Sequence, residues 1–232
     1  LDMRFESLDV RELMNILWSF QAMNHPADTF SSRALKRIII EFESGKLTLE
    51  GIQQLNQIVL SMGTKTKGVV MTKQEQAIRD QCEMEGTESK LQNEVSKHLN
   101  RIGKHHECEY DVEGKGLFVD MAIINERTVV EVDGPFHFWK NMNRSYQYNG
   151  KSIFKTRLLN EVLGWRVVRV PFYEWGALNG VDEKDNYMRL CLSYKKCTKG
   201  GVIKRNLEDL SRSEKESVLK ISKTHKRKVT RR

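Results

Sequence analysis

Apolar residues recur at helical spacing in two stretches near the start of the chain. The first stretch carries Leu13, Ile16, Leu17, Phe20 and Met23, and the second carries Ile52, Leu55, Val59 and Met62. Such spacing predicts amphipathic helices, and a further helix is predicted between them, from about Ser32 to Phe42. Because the stretches align at a constant offset of 39 residues, they indicate an α-solenoid fragment. A plain helical packing domain is the alternative.

From about Lys90 the pattern changes to short apolar and β-branched runs. Ser89 is a candidate N-cap for a helix over Lys90–Leu99, with His98 at its surface. Strands are predicted at 106–112, 117–124, 128–132 and 165–170, and helices at 152–163 and 172–178. The order α-β-β-β-α-β-α predicts a small α/β domain with a mixed sheet. From about Asn179 the pattern predicts loop and one short segment.

The chain as a whole is therefore predicted to be α+β, in three parts. Residues 1–86 form a helical, repeat-like region, residues 87–180 form the domain with the mixed sheet, and residues 181–232 form a basic C-terminal extension. Two further helices are predicted, one over Met71–Met84 and one over Leu207–Ile221.

Positive charge is concentrated at the C-terminal end. From Lys195 to Arg232 there are 14 Lys/Arg and 4 Asp/Glu, a net +10, whereas the other 25 basic and 27 acidic residues give −2. A cationic segment of this kind neutralises phosphates and gains affinity by releasing counterions. The tail therefore predicts nucleic-acid contact through Lys204, Arg205, Lys226, Arg227, Lys228, Arg231 and Arg232. A merely solubilising tail is the alternative.

Composition excludes several other classes of protein. No apolar run approaches the roughly 18 residues of a membrane span, and the first residues do not form a signal peptide. The chain begins at Leu1, so we expect a trimmed product. Four scattered cysteines without CxxC spacing predict reduced thiols and no zinc site.

Three acids lie on two predicted strands. Asp120 is flanked by Val119 and Met121, and a carboxylate in such surroundings binds a cation or costs stability. Glu131 and Asp133 are two residues apart, so they share one face of a strand. Three converging carboxylates repel one another unless a cation or proton relieves them. This pattern predicts a Mg²⁺ or Mn²⁺ site, although Asp133-Gly134-Pro135 can also be a simple turn.

These acids, with Glu94 on the preceding helix and His137 beyond the strand, resemble the PD-(D/E)XK nuclease core. In that core a strand Asp and an acid-X-Lys strand meet beside a helix Glu. Here the lysine position is occupied by Asp133, so the residue that usually orients the attacking water is absent. Very-short-patch-repair endonucleases carry a similar Glu-hydrophobic-Asp-Gly-x-x-His pattern, and in them the loss of lysine is not by itself disabling.

A more specific resemblance is to the RAP domain, an RNA-binding module of restriction-endonuclease-like fold. Its motifs match, in order, Leu91–Val95, Phe118–Ala122, Val130–Phe138, Gly150–Leu159, Leu163–Val168 and Val170–Trp175. The resemblance implies helical repeats before the domain and a role in organellar RNA processing, stability or ribosome assembly.

Further basic and aromatic residues are candidates for RNA contact. Aromatic rings interleaved with cations stack on unpaired bases while the cations hold phosphates. The predicted loop set comprises Trp139, Lys140, Arg144, Tyr146 and Tyr148. Lys151, Lys155 and Arg157 on the following helix suit phosphate contact, or else a solvated face. Trp165, Phe172, Tyr173 and Trp175 are expected in the core.

The combined prediction is an RNA-binding organellar protein, with ribosomal RNA and other ribosomal proteins as partners in a mitochondrial ribosome, and with no membrane partner. The alternative is a metal-dependent endoribonuclease using Asp120, Glu131 and Asp133. A protein-interaction scaffold is the third possibility.

Overall fold

A computed structural model of the chain describes residues 2–26, 28–63, 89–140 and 146–193, with the side chains of residues 2–4, 49 and 140 left out. Two compact units divide these residues. One comprises the described parts of Leu1–Thr87, Asp111–Phe118 and Gly150–Leu163, and the other those of Glu88–Tyr110, Val119–Asn149 and Gly164–Arg232. The α+β class with a mixed sheet is confirmed.

The described helices are α1 Val10–Ala22, α2 Thr29–Glu43, α3 Leu49–Met62, α4 Lys90–Arg101, α5 Gly150–Arg157, α6 Phe172–Trp175 and α7 Val181–Ser193. The strands are β1 Glu107–Asp111, β2 Phe118–Ile123, β3 Thr128–Asp133, β4 Phe138–Lys140, β5 Tyr146–Tyr148 and β6 Arg166–Pro171. A π-helical turn over Leu158–Val162 continues α5.

Local sequence accounts for the helix ends in the first unit. Asp9 begins α1 with a capping box, in which its carboxylate accepts from the Glu12 amide and the Glu12 side chain accepts from the Asp9 amide. Thr48 caps α3, and Gly63 ends it in the left-handed conformation that glycine adopts without strain. The observed boundaries of these helices therefore follow from capping chemistry.

Helices α1 and α3 pack side by side through both apolar and polar contacts. Leu17 and Leu55 are fully buried, as their spacing predicts. Trp18 Nε1 donates to Gln57 Oε1 at 2.8 Å, and Gln54 Nε2 donates to Asn15 Oδ1 at 3.2 Å. Both bonds join positions 39 residues apart, the offset seen in the sequence. The repeat itself stays a prediction, as do the three domain boundaries.

The second unit is built on a four-stranded sheet in the order β1-β2-β3-β6. Strand β3 pairs antiparallel with β2 and parallel with β6, so the sheet is mixed. Its apolar face packs with α4, α6 and α7 around a core that includes Leu99, Met121, Val168 and Trp175. Every residue of β3 is buried, as befits a central strand.

Helix α7 corrects the prediction that residues after Asn179 are loop and extension. Its Tyr187, Met188, Cys191 and Leu192 lie in the core of the second unit. Apolar residues separated by three or four positions carry this face, but the charged first turn obscures the pattern. The net positive tail from Lys195 is not affected by this correction.

His98 also differs from its predicted surface position. It is buried on α4, its Nδ1 donates to Asp185 Oδ1 at 2.6 Å, and its ring meets the Trp175 ring edge-on. Arg101 Nε donates to the other oxygen of Asp185 at 3.2 Å. Hydrogen bonds to Asp185 thus join α4 to α7 inside the second unit.

A hairpin replaces the loop predicted around residues 138–148. Strands β4 and β5 pair antiparallel, with Phe138 opposite Tyr148 and Lys140 opposite Tyr146. The predicted helices at Met71–Met84 and Leu207–Ile221 lie outside the described residues. Within the described part of the chain, no helix combines the length and apolarity that a membrane crossing needs.

We expect Asp185→Asn to reduce the free energy of unfolding at neutral pH by about 1.5–3 kcal/mol, the range for hydrogen bonds to charged groups. The His98 hydrogen bond, followed by Arg101, lowers the pKa of Asp185 below its usual value. Its stabilisation is therefore present above the ordinary aspartate pKa and is lost as pH falls through the lowered, folded-state pKa.

Denaturant unfolding at a series of pH values measures this effect. The difference between wild type and Asp185→Asn should shrink as the solution becomes acidic. Glu161→Gln, which removes an exposed acid elsewhere, serves as the control. A difference that stays constant from neutral pH to strongly acidic pH would contradict the assignment.

Candidate nucleic-acid interface

Two acids and one arginine are buried together at the centre of the sheet. Glu131 and Asp133 share a face of β3, and Arg169 on β6 is in register with Glu131. Their exposed fractions are 2% for Glu131, 0% for Asp133 and 7% for Arg169. Since charged residues are rarely buried without partners, this group has to be neutralised internally or by a ligand.

Arg169 supplies one positive charge, which pairs with Asp133. Its Nη1 donates to Asp133 Oδ1, and the Tyr148 ring lies under the guanidinium at 4.9 Å from its carbon. His137 Nδ1 is 3.1 Å from the same Asp133 oxygen. Strand β3 thus contributes two acids to the cluster, and strand β6 and the turn that follows β3 contribute one polar group each.

Burial and the neighbouring charges change the pKa values of Asp133, Arg169 and Tyr148. Burial raises the pKa of Asp133 above its usual value, although Arg169 acts in the opposite direction. Burial alone would lower the pKa of Arg169, but the charges of Asp133 and Glu131 outweigh it and raise that pKa. Burial and then the Asp133 charge raise the pKa of Tyr148. Arg169 therefore stays cationic and Tyr148 stays a neutral phenol.

Asp120 has a backbone partner. It is half-buried on β2, and its Oδ2 accepts from the Val132 amide at 2.6 Å. The pairing of β2 with β3 runs from Met121 to Ile123, so the Asp120 carboxylate bonds to β3 just beyond the end of that pairing. The side chain continues the connection between the two strands where the backbone ladder stops.

Asp120, Glu131 and Asp133 were predicted to hold one metal ion together, and their observed contacts differ from such a site. Among the described residues, no group of three or more His, Cys, Asp or Glu side chains is arranged to hold a metal ion. A guanidinium already occupies one oxygen of Asp133, and a backbone amide occupies one oxygen of Asp120. The described donors therefore do not fit a Mg²⁺ or Mn²⁺ cage built from all three acids.

Glu94, predicted to support the acids, has different partners. Its carboxylate accepts from Trp175 Nε1 at 3.0 Å and from the Lys184 ammonium. The Lys184 bond, then the Trp175 bond, lower its pKa below the usual value. Both partners belong to the C-terminal helices, so Glu94 ties α4 to α6 and α7.

The three predicted phosphate contacts of α5 take different positions. Lys151 is exposed, and Lys155 is half-buried. Arg157 instead donates to the carbonyls of Gln21 and Ala22 and lies over the Phe154 ring. Because carbonyls at the end of a helix lack partners and carry partial negative charge, Arg157 caps α1 within the first unit. Its prediction as an RNA contact is corrected accordingly.

Five aromatic rings pack against each other beside the hairpin: Phe138, Tyr146, Tyr148, Phe172 and Tyr173. Tyr146 and Tyr173 stack at 4.5 Å with an interplanar angle of 8°. One face of Tyr146 is therefore covered by Tyr173, and its contact with RNA stays a prediction. Trp165 and Trp175 are buried, as predicted.

Two rings on the same segment point to a different surface. Phe136 is 93% exposed and Trp139 is 68% exposed, on either side of His137. Trp139 is among the residues predicted from the sequence to contact RNA, whereas Phe136 is not. Its signal was available, because Gly134-Pro135 ends the strand and leaves the next residue on a turn. Both rings are thus accessible to a ligand on the second unit.

Other predicted contacts lie outside the described residues. They are the Lys140 side chain, Arg144, and the tail residues Lys204, Arg205, Lys226, Arg227, Lys228, Arg231 and Arg232. Their participation in RNA binding stays a prediction.

Comparisons with known proteins match this part of the chain. A chloroplastic RAP domain-containing protein from rice (Oryza sativa subsp. japonica) is 32% identical over 106 residues. The aligned segment covers 46% of this chain and 16% of the rice protein. The chain thus spans well under two thirds of the relative, whose activity and partners belong to a much longer protein.

A family model described as the RAP domain matches residues 130–190. The match begins inside β3, two residues after its start, and ends inside α7. It therefore includes Glu131, Asp133, both exposed aromatic residues, the hairpin and Arg169. These residues of the chain form a RAP domain.

Proposed function

We propose that this chain binds RNA through the RAP domain and the basic tail, without cleaving it. The observation that carries the proposal is the exposure of Phe136 and Trp139 directly beyond a buried cluster in which Arg169 pairs with Asp133. Exposed aromatic rings accept unpaired bases by stacking, whatever the base. The acids, held by Arg169, position the segment that carries these rings.

Charge supports the same proposal. The tail carries a net +10 between Lys195 and Arg232, as counted above, and suits contact with phosphates. Aromatic rings that hold bases and cations that hold the backbone are the two components of single-strand recognition. The resemblance to RAP domains points to RNA as the nucleic acid.

An organelle is the proposed location, because the rice relative is named chloroplastic. Our more specific proposal is a structural or assembly role on ribosomal RNA in a mitochondrial ribosome, among other ribosomal proteins. Long cationic extensions suit insertion among densely packed phosphates, which supports a ribosomal setting. Import of the tagged full-length protein into isolated mitochondria and chloroplasts tests the location.

A metal-dependent endoribonuclease is the second candidate. The observation that favours it is the placement of Glu131 and Asp133 on one face of a central strand, with Asp120 on the neighbouring strand. Phosphodiester cleavage also needs a positioned water and a bound divalent ion. Asp133 at the family's lysine position, and the guanidinium on Asp133, favour binding over cleavage.

Replacing both exposed rings, in Phe136→Ala/Trp139→Ala, should weaken binding of single-stranded RNA by about 1–3 kcal/mol for each base stacked. The cause is the loss of stacking surface, because neither ring contributes to the buried core. Fluorescence anisotropy with a labelled single-stranded oligonucleotide measures the affinity at fixed salt.

Met23→Ala is a matched control, since Met23 is 69% exposed and lies in the first unit. Trp139→Phe should retain most of the affinity, because an aromatic face is preserved. Equal affinities of the wild type and the double alanine variant would mean that these two rings do not stack on RNA bases.

Removal of Lys195–Arg232 should lower RNA affinity and flatten its salt dependence. Each phosphate contact adds about 0.9 to the slope of log affinity against log salt for a duplex, and about 0.7 for a single strand. Affinity measured from low to physiological salt for both proteins gives the two slopes. An unchanged slope after truncation would mean that the tail does not contact phosphates.

Purified wild type should not cut single-stranded or structured RNA in magnesium or manganese, while RNA binding stays intact. The reason is that Arg169 supplies the cation that a nuclease would take from a metal. The comparison is an Asp120→Asn/Glu131→Gln variant. Metal-dependent cutting by the wild type that disappears in the variant would make this protein an endoribonuclease.

A further inference from the structure

Three chemically reactive side chains meet between α4 and the edge strand β1 in the second unit. Ser96 Oγ lies 2.8 Å from His106 Nε2 and 3.9 Å from Cys108 Sγ, the second within reach of a hydrogen bond to sulfur. His106 directly precedes β1 and Cys108 is two residues further on, so both side chains lie on the strand face beside Ser96. The RAP domain match begins at residue 130, so this cluster precedes it.

The hydrogen bonds of this cluster have a defined direction. His106 Nδ1 is 2.9 Å from the Lys104 carbonyl oxygen, which can only accept, so in the neutral ring Nδ1 carries the proton. His106 Nε2 then accepts from the Ser96 hydroxyl. Ser96 has only that proton to donate, so its oxygen accepts from the Cys108 thiol. The bonds form a proton relay that leads from Cys108 through Ser96 to His106.

The relay keeps its hydrogen bonds when a proton moves along it. If the Cys108 thiol proton passes to Ser96, and the Ser96 proton passes to His106 Nε2, the sulfur becomes a thiolate and the ring an imidazolium. His106 then donates to Ser96, and Ser96 donates to the thiolate. The Lys104 carbonyl holds the ring in place in both states. A nucleophile linked to a base that a third group orients is the general arrangement of an activated nucleophile.

The surroundings of Cys108 suit a thiol that reacts from solvent. Cys108 is exposed, whereas Cys191 is 5% exposed and lies in the core. Glu107 and Glu109 flank Cys108 in the sequence, both are exposed, and Glu109 accepts from Gln92 Nε2 at 2.5 Å. Negative charge nearby disfavours a permanent thiolate. These acids therefore favour a thiol that loses its proton only as it attacks, which is the step that a proton relay assists.

We infer that Cys108 is a site of reversible thiol–disulfide exchange, with His106 as its base and Ser96 as the proton carrier between them. The substrate class is a small disulfide such as glutathione disulfide. The Cys108 sulfur attacks one sulfur of that disulfide, so a mixed disulfide forms and the S–S bond of glutathione breaks. The thiol proton passes through Ser96 to His106 and then to the departing glutathione thiolate. Cys108 is thereby oxidised, and one glutathione is released in reduced form.

A small disulfide suits this cluster better than a metal ion. Both ring nitrogens of His106 already have hydrogen-bond partners. Within the described ranges, no three side chains of His, Cys, Asp or Glu are grouped as metal ligands would be. The inference does not depend on the proposed RNA binding, because it uses no residue of the RAP domain match or of the basic tail.

The experiment incubates the full chain with glutathione disulfide and measures the mixed disulfide at each cysteine by mass spectrometry after trypsin digestion. Cleavage after Lys and Arg places the four cysteines in separate peptides, residues 80–90, 105–115, 190–195 and 197–199. His106→Gln and Ser96→Ala should each slow the modification of Cys108 by about tenfold or more, because general bases contribute about 10²–10⁴-fold to rates.

Matched controls are His105→Gln, which replaces the exposed neighbouring histidine, and Ser193→Ala, which replaces an exposed serine on α7. Neither should change the rate at Cys108. Ser96→Thr should retain most of the rate, because it keeps a hydroxyl. Added imidazole should restore the rate of His106→Gly, a response that a purely structural histidine would not give. Modification of the buried Cys191 reports any variant that has unfolded.

A second measurement needs no variant and decides the question where a variant unfolds. In urea the relay is absent and Cys108 is fully accessible, so its modification should be about tenfold slower than in the folded chain at the same pH. Faster modification on unfolding would mean that the fold merely shields the thiol. That result would overturn the inference, and so would equal Cys108 rates in folded wild type, His106→Gln and Ser96→Ala.

Discussion

The contact between Arg169 and Asp133 is the interaction on which the second unit depends. Each charge is almost completely removed from water, so either residue without the other would leave a buried, uncompensated charge. The pairing also requires β3 and β6 to lie parallel in one register, although 36 residues separate the two side chains. Tyr148 covers the guanidinium, which fixes the hairpin against the sheet. The exposed segment between β3 and the hairpin is thus held at both ends.

This arrangement explains how two exposed aromatic rings can be held just beyond the end of a buried strand. Phe136 and Trp139 are exposed, while the residues around them are fixed: His137 by Asp133, Phe138 by the aromatic cluster, and Asn149 by the carbonyl of Phe136. A platform fixed in this way loses little conformational entropy when a base stacks on it. The buried polar cluster therefore orients the segment that carries the exposed rings.

The local elements could be predicted from the sequence because capping residues and apolar spacing act over a few residues. Ser89, Thr48 and the strand of Val129–Val132 carry such signals. The partners of charged residues could not be predicted in this way. Arg169 lies in an apolar strand and pairs with Asp133, and Arg157 caps a helix 135 residues earlier. Both pairings depend on tertiary proximity, which spacing along the chain does not encode.

The predictions for His98 and for the residues of α7 were wrong for a related reason. A histidine on a polar-looking helix gave no sign of burial, because its partner Asp185 lies 87 residues away on a helix whose charged first turn conceals its apolar face. For the three acids, the sequence predicted the positions correctly but not the partner. Asp120, Glu131 and Asp133 were correctly placed on neighbouring strands, but sequence spacing does not distinguish a metal from a guanidinium as the neutralising cation.

Whether a metal ion or a guanidinium pairs with the acids decides which chemistry the cluster can perform. A divalent ion exchanges its water ligands and lowers the pKa of a bound water, which creates a nucleophile. A guanidinium has neither property: it is a fixed donor of hydrogen bonds and stays protonated at any physiological pH. With burial raising the pKa of Asp133 and Arg169 bonded to it, a metal would have to displace an arginine that is itself stabilised by Asp133 and Glu131. An acid held by a guanidinium is suited to keeping its surroundings in one geometry.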